Sequence, residues 1–405
     1  MAEARPIPDS NTIINILTLR YNRTLDSILP KISAKDFTPT NDNPSIDFIQ
    51  QTMENEISSK IGSDNGKIAI ALSGGVDSTL ALCTLKNYVP NEVEAISIKF
   101  ADSVDETPLA AKIAERLGVK QNIVYVENYL AELPRAISII KLPFWDLHWY
   151  YVTKRAQTIS KYLVAGDGGD ELFGGYTFRY SKFLNLVNTN SYPLDKVRAY
   201  LQCHERDNVP DQHKIFGKKA CFSWSLVYDQ LRQYFDNNQP LLDQVLLADY
   251  NGKLLYNFLP VNTALHHYFG LKSITPILSK EMVSYVTHIP NSQKYVRSTD
   301  TGKILLRQLL AKYKMDTLIS KTKLGFNVNT INLWKNFGHK LCKKYLQDSR
   351  VVQDEWISQS WIDAYLDNHD DLEIRYINKF LGLLALEIWY RLFVTKEMKP
   401  ETILA

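Results

Sequence analysis

Four short apolar runs separated by helical segments occupy residues 67–166, and two of them lead straight into glycine-rich turns. KIAIAL (67–72) ends at Ser73-Gly74-Gly75-Val76-Asp77-Ser78, and YLVAG (162–166) opens Gly166-Asp167-Gly168-Gly169-Asp170-Glu171-Leu172-Phe173-Gly174-Gly175-Tyr176. Runs this short, rich in Ile, Val and Ala, read as buried strands. VEAISIKF (93–100) and NIVYV (122–126) read the same way. Between them the pattern predicts helices over 77–88, 105–118 and 146–160. For 105–118 the end signals are good: Asp105 can cap it, Pro108 sits in its first turn and Gly118 ends it. Strands alternating with helices predict an α/β fold, a doubly wound parallel sheet of Rossmann-like type. Such sheets bind ligands beyond the C-terminal ends of their strands, where both glycine-rich turns lie.

The rest of the chain frames this core. Residues 1–60 read as a lead-in, broken by Pro30, Pro39 and Pro44, with a helical pattern from Ser45 to Ile61. Residues 61–190 form the expected nucleotide-binding α/β unit. From about Arg179 strand signals fade, and residues 191–405 read as mainly helical, with amphipathic stretches at 241–258 and 302–313. With 405 residues the chain can bury a full core without staples. Its net charge of +3 is too small to argue for nucleic acid or an anionic membrane as the main partner. The four cysteines (Cys83, Cys203, Cys221 and Cys342) lack CxxC spacing and suit a reducing cytoplasm. The most apolar stretch, 380–394, carries Glu387 and Arg391 and is too short to span a bilayer, so a buried helix is expected there.

The glycine-rich turns carry chemistry. A Gly-Gly turn between strand and helix lets backbone N–H groups and a helix N-terminus cradle an anion. Ser73 and Ser78 add hydroxyl donors. Asp77 would repel a bare phosphate and makes sense where a metal ion bridges the two. The hexamer lacks the GxxxxGK[ST] spacing of a Walker A loop, and taken alone it reads equally well as a plain turn. The second turn holds five glycines and three carboxylates in eleven residues, and two carboxylate loops at adjacent strand ends can share Mg²⁺ on a triphosphate.

Together these motifs resemble the synthetase domain of the glutamine-dependent asparagine synthetases, within the PP-loop ATP pyrophosphatases. SIKF with Asp105-Glu106, Thr301-Gly-Lys303 with Leu306-Arg307, and Lys321-Thr-Lys323-Leu-Gly325-Phe326 resemble further family segments. The resemblance implies an ATP-binding set of Leu72, Ser73, Gly74, Gly75, Val76, Asp77, Ser78, Ile98 and Gly166, with Mg²⁺ on Asp77 and Asp170. It implies catalytic roles for Lys323, which would stabilise developing charge, and for Asp167 beside an acyl-adenylate. Lys303 is secondary, because a lysine that opens a helix is ordinarily a surface residue. Asp146, Glu171 and Lys272 are expected to line the substrate pocket.

Two departures limit what the resemblance implies. The family's glutaminase half, with its N-terminal cysteine, has no counterpart in about 65 residues before the first strand, and residue 2 is Ala. Free ammonia, another amine or a separate glutaminase subunit would then supply nitrogen. The segment Leu271–Ser279 falls where the family carries a Glu, an Arg and an Asp, and it has Lys272, Ile274 and Ser279 there. Aspartate is therefore one candidate acid among several. The aromatic cluster Phe144, Trp145, Trp149, Tyr150 and Tyr151 reads as core, and His266-His267 lacks a zinc pattern. The expected activity is ATP-dependent, AMP-forming amide ligation of a carboxylate with ammonia or an amine. The alternatives are a relative or cyclase using another acid and amine, a tRNA-modifying enzyme, and a non-catalytic nucleotide-binding scaffold. A homodimer is left open, with membrane and nucleic acid outside the expected partners.

Overall fold

The computed structural model describes residues 8–23, 27–40, 44–89, 92–319, 328–367 and 372–405. Its centre is a five-stranded parallel sheet: β1 (Ile68–Ala71), β2 (Val93–Phe100), β3 (Lys120–Val126), β4 (Tyr162–Val164) and β5 (Lys272–Ile274), in the order β3-β2-β1-β4-β5. β1 and β4 are buried along their whole length, which explains their unbroken apolar sequences. Ala69 pairs with Leu163 and Ile70 with Val164, so the loops that follow the two strands emerge side by side. The chain winds one way from β1 through β2 to β3 and the other way through β4 and β5. The crevice between β1 and β4 is therefore the switch point where such sheets bind ligands.

The helices expected between the strands form at Val76–Tyr88, Thr107–Arg116 and His148–Ala156, and the lead-in helix at Ile46–Ile61. Asp105 holds the start of Thr107–Arg116 as expected, its Oδ1 accepting from the Thr107 N–H (3.0 Å) and hydroxyl (2.7 Å). The fifth strand differs from expectation, since it comes from a stretch read as helical. It is only three residues long, Lys-Ser-Ile, with one side chain buried, so it carries too little apolar pattern to announce itself.

The helical half closes around Ile374–Phe393, a 20-residue helix buried on most of its circumference. Among the described residues no helix is long and apolar enough to cross a membrane. Phe144, Trp145, Trp149 and Tyr150 are core residues, and Cys83, Cys203, Cys221 and Cys342 are free thiols. The first helix, Ser10–Thr18, is tied down at its C-terminal end. Lys379 Nζ and Gln212 Nε2 (3.0 Å) both donate to the Leu17 carbonyl, and Arg20 pairs with Asp207 (3.1 Å).

Inside the long helix, Glu387 is fully buried, and the rest of the fold supplies its partners. Its carboxylate accepts from Ser349 Oγ (2.9 Å), Arg350 N (3.0 Å), Val351 N (3.1 Å) and Arg391 Nε (2.6 Å). Removing one side of such a buried, hydrogen-bonded charge pair costs about 3–5 kcal/mol. Glu387→Ala is expected to lower the urea midpoint by a corresponding amount. A loss below about 1 kcal/mol, the scale of an exposed pair, would show that the carboxylate does not anchor this helix.

Candidate active site

The crevice between β1 and β4 opens into a cavity of about 710 Å³. Ser73, Gly75, Val76, Asp77 and Ser78 line one side; Gly166, Asp167, Asp170 and Glu171 line the other; Asp146 and Lys303 complete it. Eleven residues expected from sequence thus share one cavity. The first loop is drawn tight by its serines, with Ser73 Oγ 3.2 Å from Ser78 Oγ and the Ser78 hydroxyl donating to Gly75 O (3.3 Å). Helix Val76–Tyr88 starts there, with Gly75 as its N-cap, so its first N–H groups face the cavity. The second loop passes so close that a Cβ on Gly166 would stand 2.6 Å from the Asp77 backbone. Only glycine permits this approach.

Lys303 joins the two loops. Its Nζ lies 2.5 Å from Asp77 Oδ2 and 2.6 Å from Asp170 Oδ1, with 8 % of the residue exposed. Burial opposes its charge, but the carboxylates of Asp170 and Asp77 outweigh burial and hold its pKa above the usual lysine range. The backbone of Lys303 is left-handed (φ 58°), a conformation that costs a non-glycine residue roughly 1–2 kcal/mol. Its N–H donates to Phe173 O (3.0 Å) and Lys294 O (2.9 Å), which fixes the turn. Lys303 does open a helix, Ile304–Lys312, but this turn sends its side chain inward, contrary to the expected surface position.

Asp167 is half-buried at the back of the cavity and accepts from Asn262 Nδ2 (2.8 Å). Burial raises its pKa to about 6; the Asn262 bond opposes the rise and the charge of Asp77 adds to it. Glu171 accepts from the Tyr176 hydroxyl (2.5 Å), and Asp146 is paired with Arg20. The remaining expected residues lie elsewhere. Gly74 lines no part of the cavity; its open face meets Leu109. Leu72 and Ile98 are buried in the sheet region, and both Leu72 backbone groups are used, N–H to Ile96 O and C=O from Ser97 Oγ. Lys272 pairs across with Tyr162 at the start of β5, the end opposite the cavity, and its Nζ sits over the Tyr162 ring (5.4 Å). It is exposed there, and the pocket role expected for it has no support in this placement. Lys323 and its motif lie outside the described residues.

Sequence reasoning passed over Asn262, His148 and Arg307, which also line the cavity. Arg307 stood in a quoted motif, where its position four residues after Lys303 was the available signal. Asn262 sits in helix Leu259–Tyr268, with no sequence sign of a partner 95 residues earlier. The helical stretch that brings it here contains a π segment, Tyr250–Phe258, which contributes Leu254, Asn257 and Phe258 to the wall. Such segments recur at functional sites.

Removing the Lys303 charge takes away the ammonium that Asp77 and Asp170 share. Lys303→Met is expected to destabilise the metal-free protein by roughly 3 kcal/mol, as for other broken buried pairs. Adding Asp77→Asn should restore part of that loss in urea unfolding. Additive losses in the double variant would show that the three groups do not act as a unit.

Residues 51–391 match the asparagine synthase family. "Asparagine synthetase [glutamine-hydrolyzing] 1" of Bacillus subtilis is 24 % identical over 82 % of this chain and 57 % of its own length. A putative glutamine-hydrolysing asparagine synthetase of Mycobacterium tuberculosis is 22 % identical over 92 % of this chain and 62 % of its own. The chain thus spans about three-fifths of the length of these curated relatives. Among solved structures, the NMN synthetase of Francisella tularensis is similar over 57 % of this chain and 98 % of its own, at 16 % identity and a TM-score of 0.28. The family match covers the two glycine-rich loops, β5 and Lys303 alike, and the chain belongs to the asparagine synthase family.

Proposed function

We propose that this chain forms amide bonds at the expense of ATP, cleaved between its α- and β-phosphates. The observation that carries the reading is the Asp77–Lys303–Asp170 cluster, set where two glycine loops meet at the sheet's switch point. Under this reading the N–H groups at the start of Val76–Tyr88, with Ser73 and Ser78, bind the pyrophosphate end of ATP. Asp77 and Asp170 fit a divalent cation, being hard oxygen donors that already converge on one positive charge. They would hold Mg²⁺, which would neutralise phosphate charge. Lys303 then has phosphate oxygens within its reach as alternative partners, and Lys323 is the second cation proposed there.

A substrate carboxylate oxygen attacks the α-phosphorus. The bond to the β-phosphate oxygen breaks and pyrophosphate leaves, giving an acyl-adenylate. A neutral amine then attacks the acyl carbon; its C–N bond forms, the C–O bond to AMP breaks, and the amine gives up a proton. We assign that proton to Asp167. Its half-buried carboxyl, held by Asn262, is poised close to neutral pH, where a general base works best. The chain's remaining contribution is position and charge rather than a covalent intermediate on the protein. Aspartate is one candidate acid, and ammonia, free or from a separate glutaminase, is the simplest nitrogen donor.

The test is product analysis with Mg·ATP, ammonium and a panel of acids headed by aspartate. AMP, pyrophosphate and amide are expected in equal amounts. Asp77→Ala should abolish AMP formation with the fold intact, and turnover by that variant would remove the metal assignment. Asp167→Asn should keep acid-dependent ATP–pyrophosphate exchange and lose amide formation. Because its pKa is raised to about 6, Asp167 is protonated below that value, so with free ammonia held constant across the series amide formation should fall as pH drops through about 6 while exchange does not. An amide-formation profile flat between pH 5 and 8 would assign the proton elsewhere.

A further inference from the structure

On the far side of Asp167 lies a second cavity of about 800 Å³, between edge strand β5, helix Ile46–Ile61 and helix Leu259–Tyr268. The Asp167–Asn262 hydrogen bond borders both cavities, so one half-buried carboxyl stands between the nucleotide crevice and this cleft. Ammonia needs no more room than a water molecule, roughly 30 Å³. The cleft has the size of a pocket for a small organic molecule.

Its chemistry is graded. The rim carries Glu56, Lys60, Lys280 and Glu281, whose charges cancel. Both lysines are exposed, and no other lysine or arginine among the described residues lines the cleft, so a carboxylate at the inner end would face Asp167 without a cation. Leu259, Leu271 and Leu278 give apolar walls. His266 is 4 % exposed, and neither ring nitrogen makes a hydrogen bond of normal geometry among the described residues. Burial holds it neutral, with the Asn262 carbonyl beside it, so the ring offers an acceptor to an N–H.

We infer that this cleft binds the nitrogen donor, a primary amine with an apolar body, and delivers its nitrogen past Asp167 to the acyl carbon. The inference rests on the ligase reading above and makes the bond-forming step aminolysis: the amine nitrogen bonds to the acyl carbon, AMP leaves with the electron pair, and the proton passes to Asp167. The acid and the nucleotide then share the front crevice, and the amine enters from behind.

The test uses hexylamine, with hexanoate as its charge-reversed control, followed by ligand-observed NMR on the full chain. Thr263→Trp and Ser273→Trp each place an indole in the cleft from an exposed position, outside the nucleotide crevice. Hexylamine is expected to bind the wild type and to weaken at least about tenfold in both variants, while mant-ATP binding is unchanged. No hexylamine binding, equal binding of hexanoate, or hexylamine binding untouched by both indoles would overturn the inference. Failure of the wild type to bind mant-ATP would contradict the ligase reading separately, and the amine result would still decide what the cleft takes.

Discussion

The architecture depends on one ammonium held between two carboxylates. Asp77 comes from the loop after β1, Asp170 from the loop after β4, and Lys303 from the helical half of the chain. Brought together without Lys303, the two carboxylates would repel one another in a crevice shielded from water. The ammonium removes that cost and fixes where the C-terminal half sits on the sheet. The left-handed turn at Lys303 and the close approach of Gly166 to Asp77 follow from the same requirement. Each is locally unfavourable or tolerates only glycine, and each is held by the groups around it. Strain of this kind is characteristic of sites where geometry is set for a ligand.

The same cluster explains why the two halves are not independent. β5 comes from residue 272 and completes the sheet, and Asn262, ten residues before it, holds Asp167. At the other end of the chain, Arg20 reaches Asp146 at the rim of the crevice while also binding Asp207. Asp207 in turn accepts from Lys253 (2.7 Å). The lead-in, the sheet and the helices are thus joined by partly buried ion pairs that end at the site. Such pairs contribute little net stability but make wrong arrangements costly, because any mispairing strands a charge.

What could be read from sequence follows from range. The strands β1, β2 and β4 announce themselves because burial on both faces writes itself as a continuous apolar run, whereas β3, at the sheet edge with Ile123 and Tyr125 exposed, is legible from its β-branched and aromatic residues. Asp77 and Asp170 were legible because two carboxylate-bearing glycine turns follow adjacent strands and together resemble one family, and Asp167 was legible through that resemblance; the first turn alone reads equally well as a plain turn. Lys303 was legible only as a member of a motif. Its inward course depends on hydrogen bonds to Phe173 and Lys294, which no local pattern around residue 303 encodes. Lys272 lies outside the crevice for the complementary reason: its place depends on the register of a three-residue edge strand against β4. A strand that short is specified by tertiary packing rather than by its own residues.

The central claim is that the Asp77–Lys303–Asp170 cluster serves cleavage between the α- and β-phosphates. The most direct measurement replaces ATP by its two methylene analogues, in the presence of Mg²⁺, ammonium and the acid panel. The β,γ-methylene analogue keeps the scissile α–β oxygen bridge and should be consumed to AMP. The α,β-methylene analogue should bind and remain intact. Consumption of the α,β-methylene analogue with release of inorganic phosphate would contradict the account, because the site would then be cutting at the β–γ bridge.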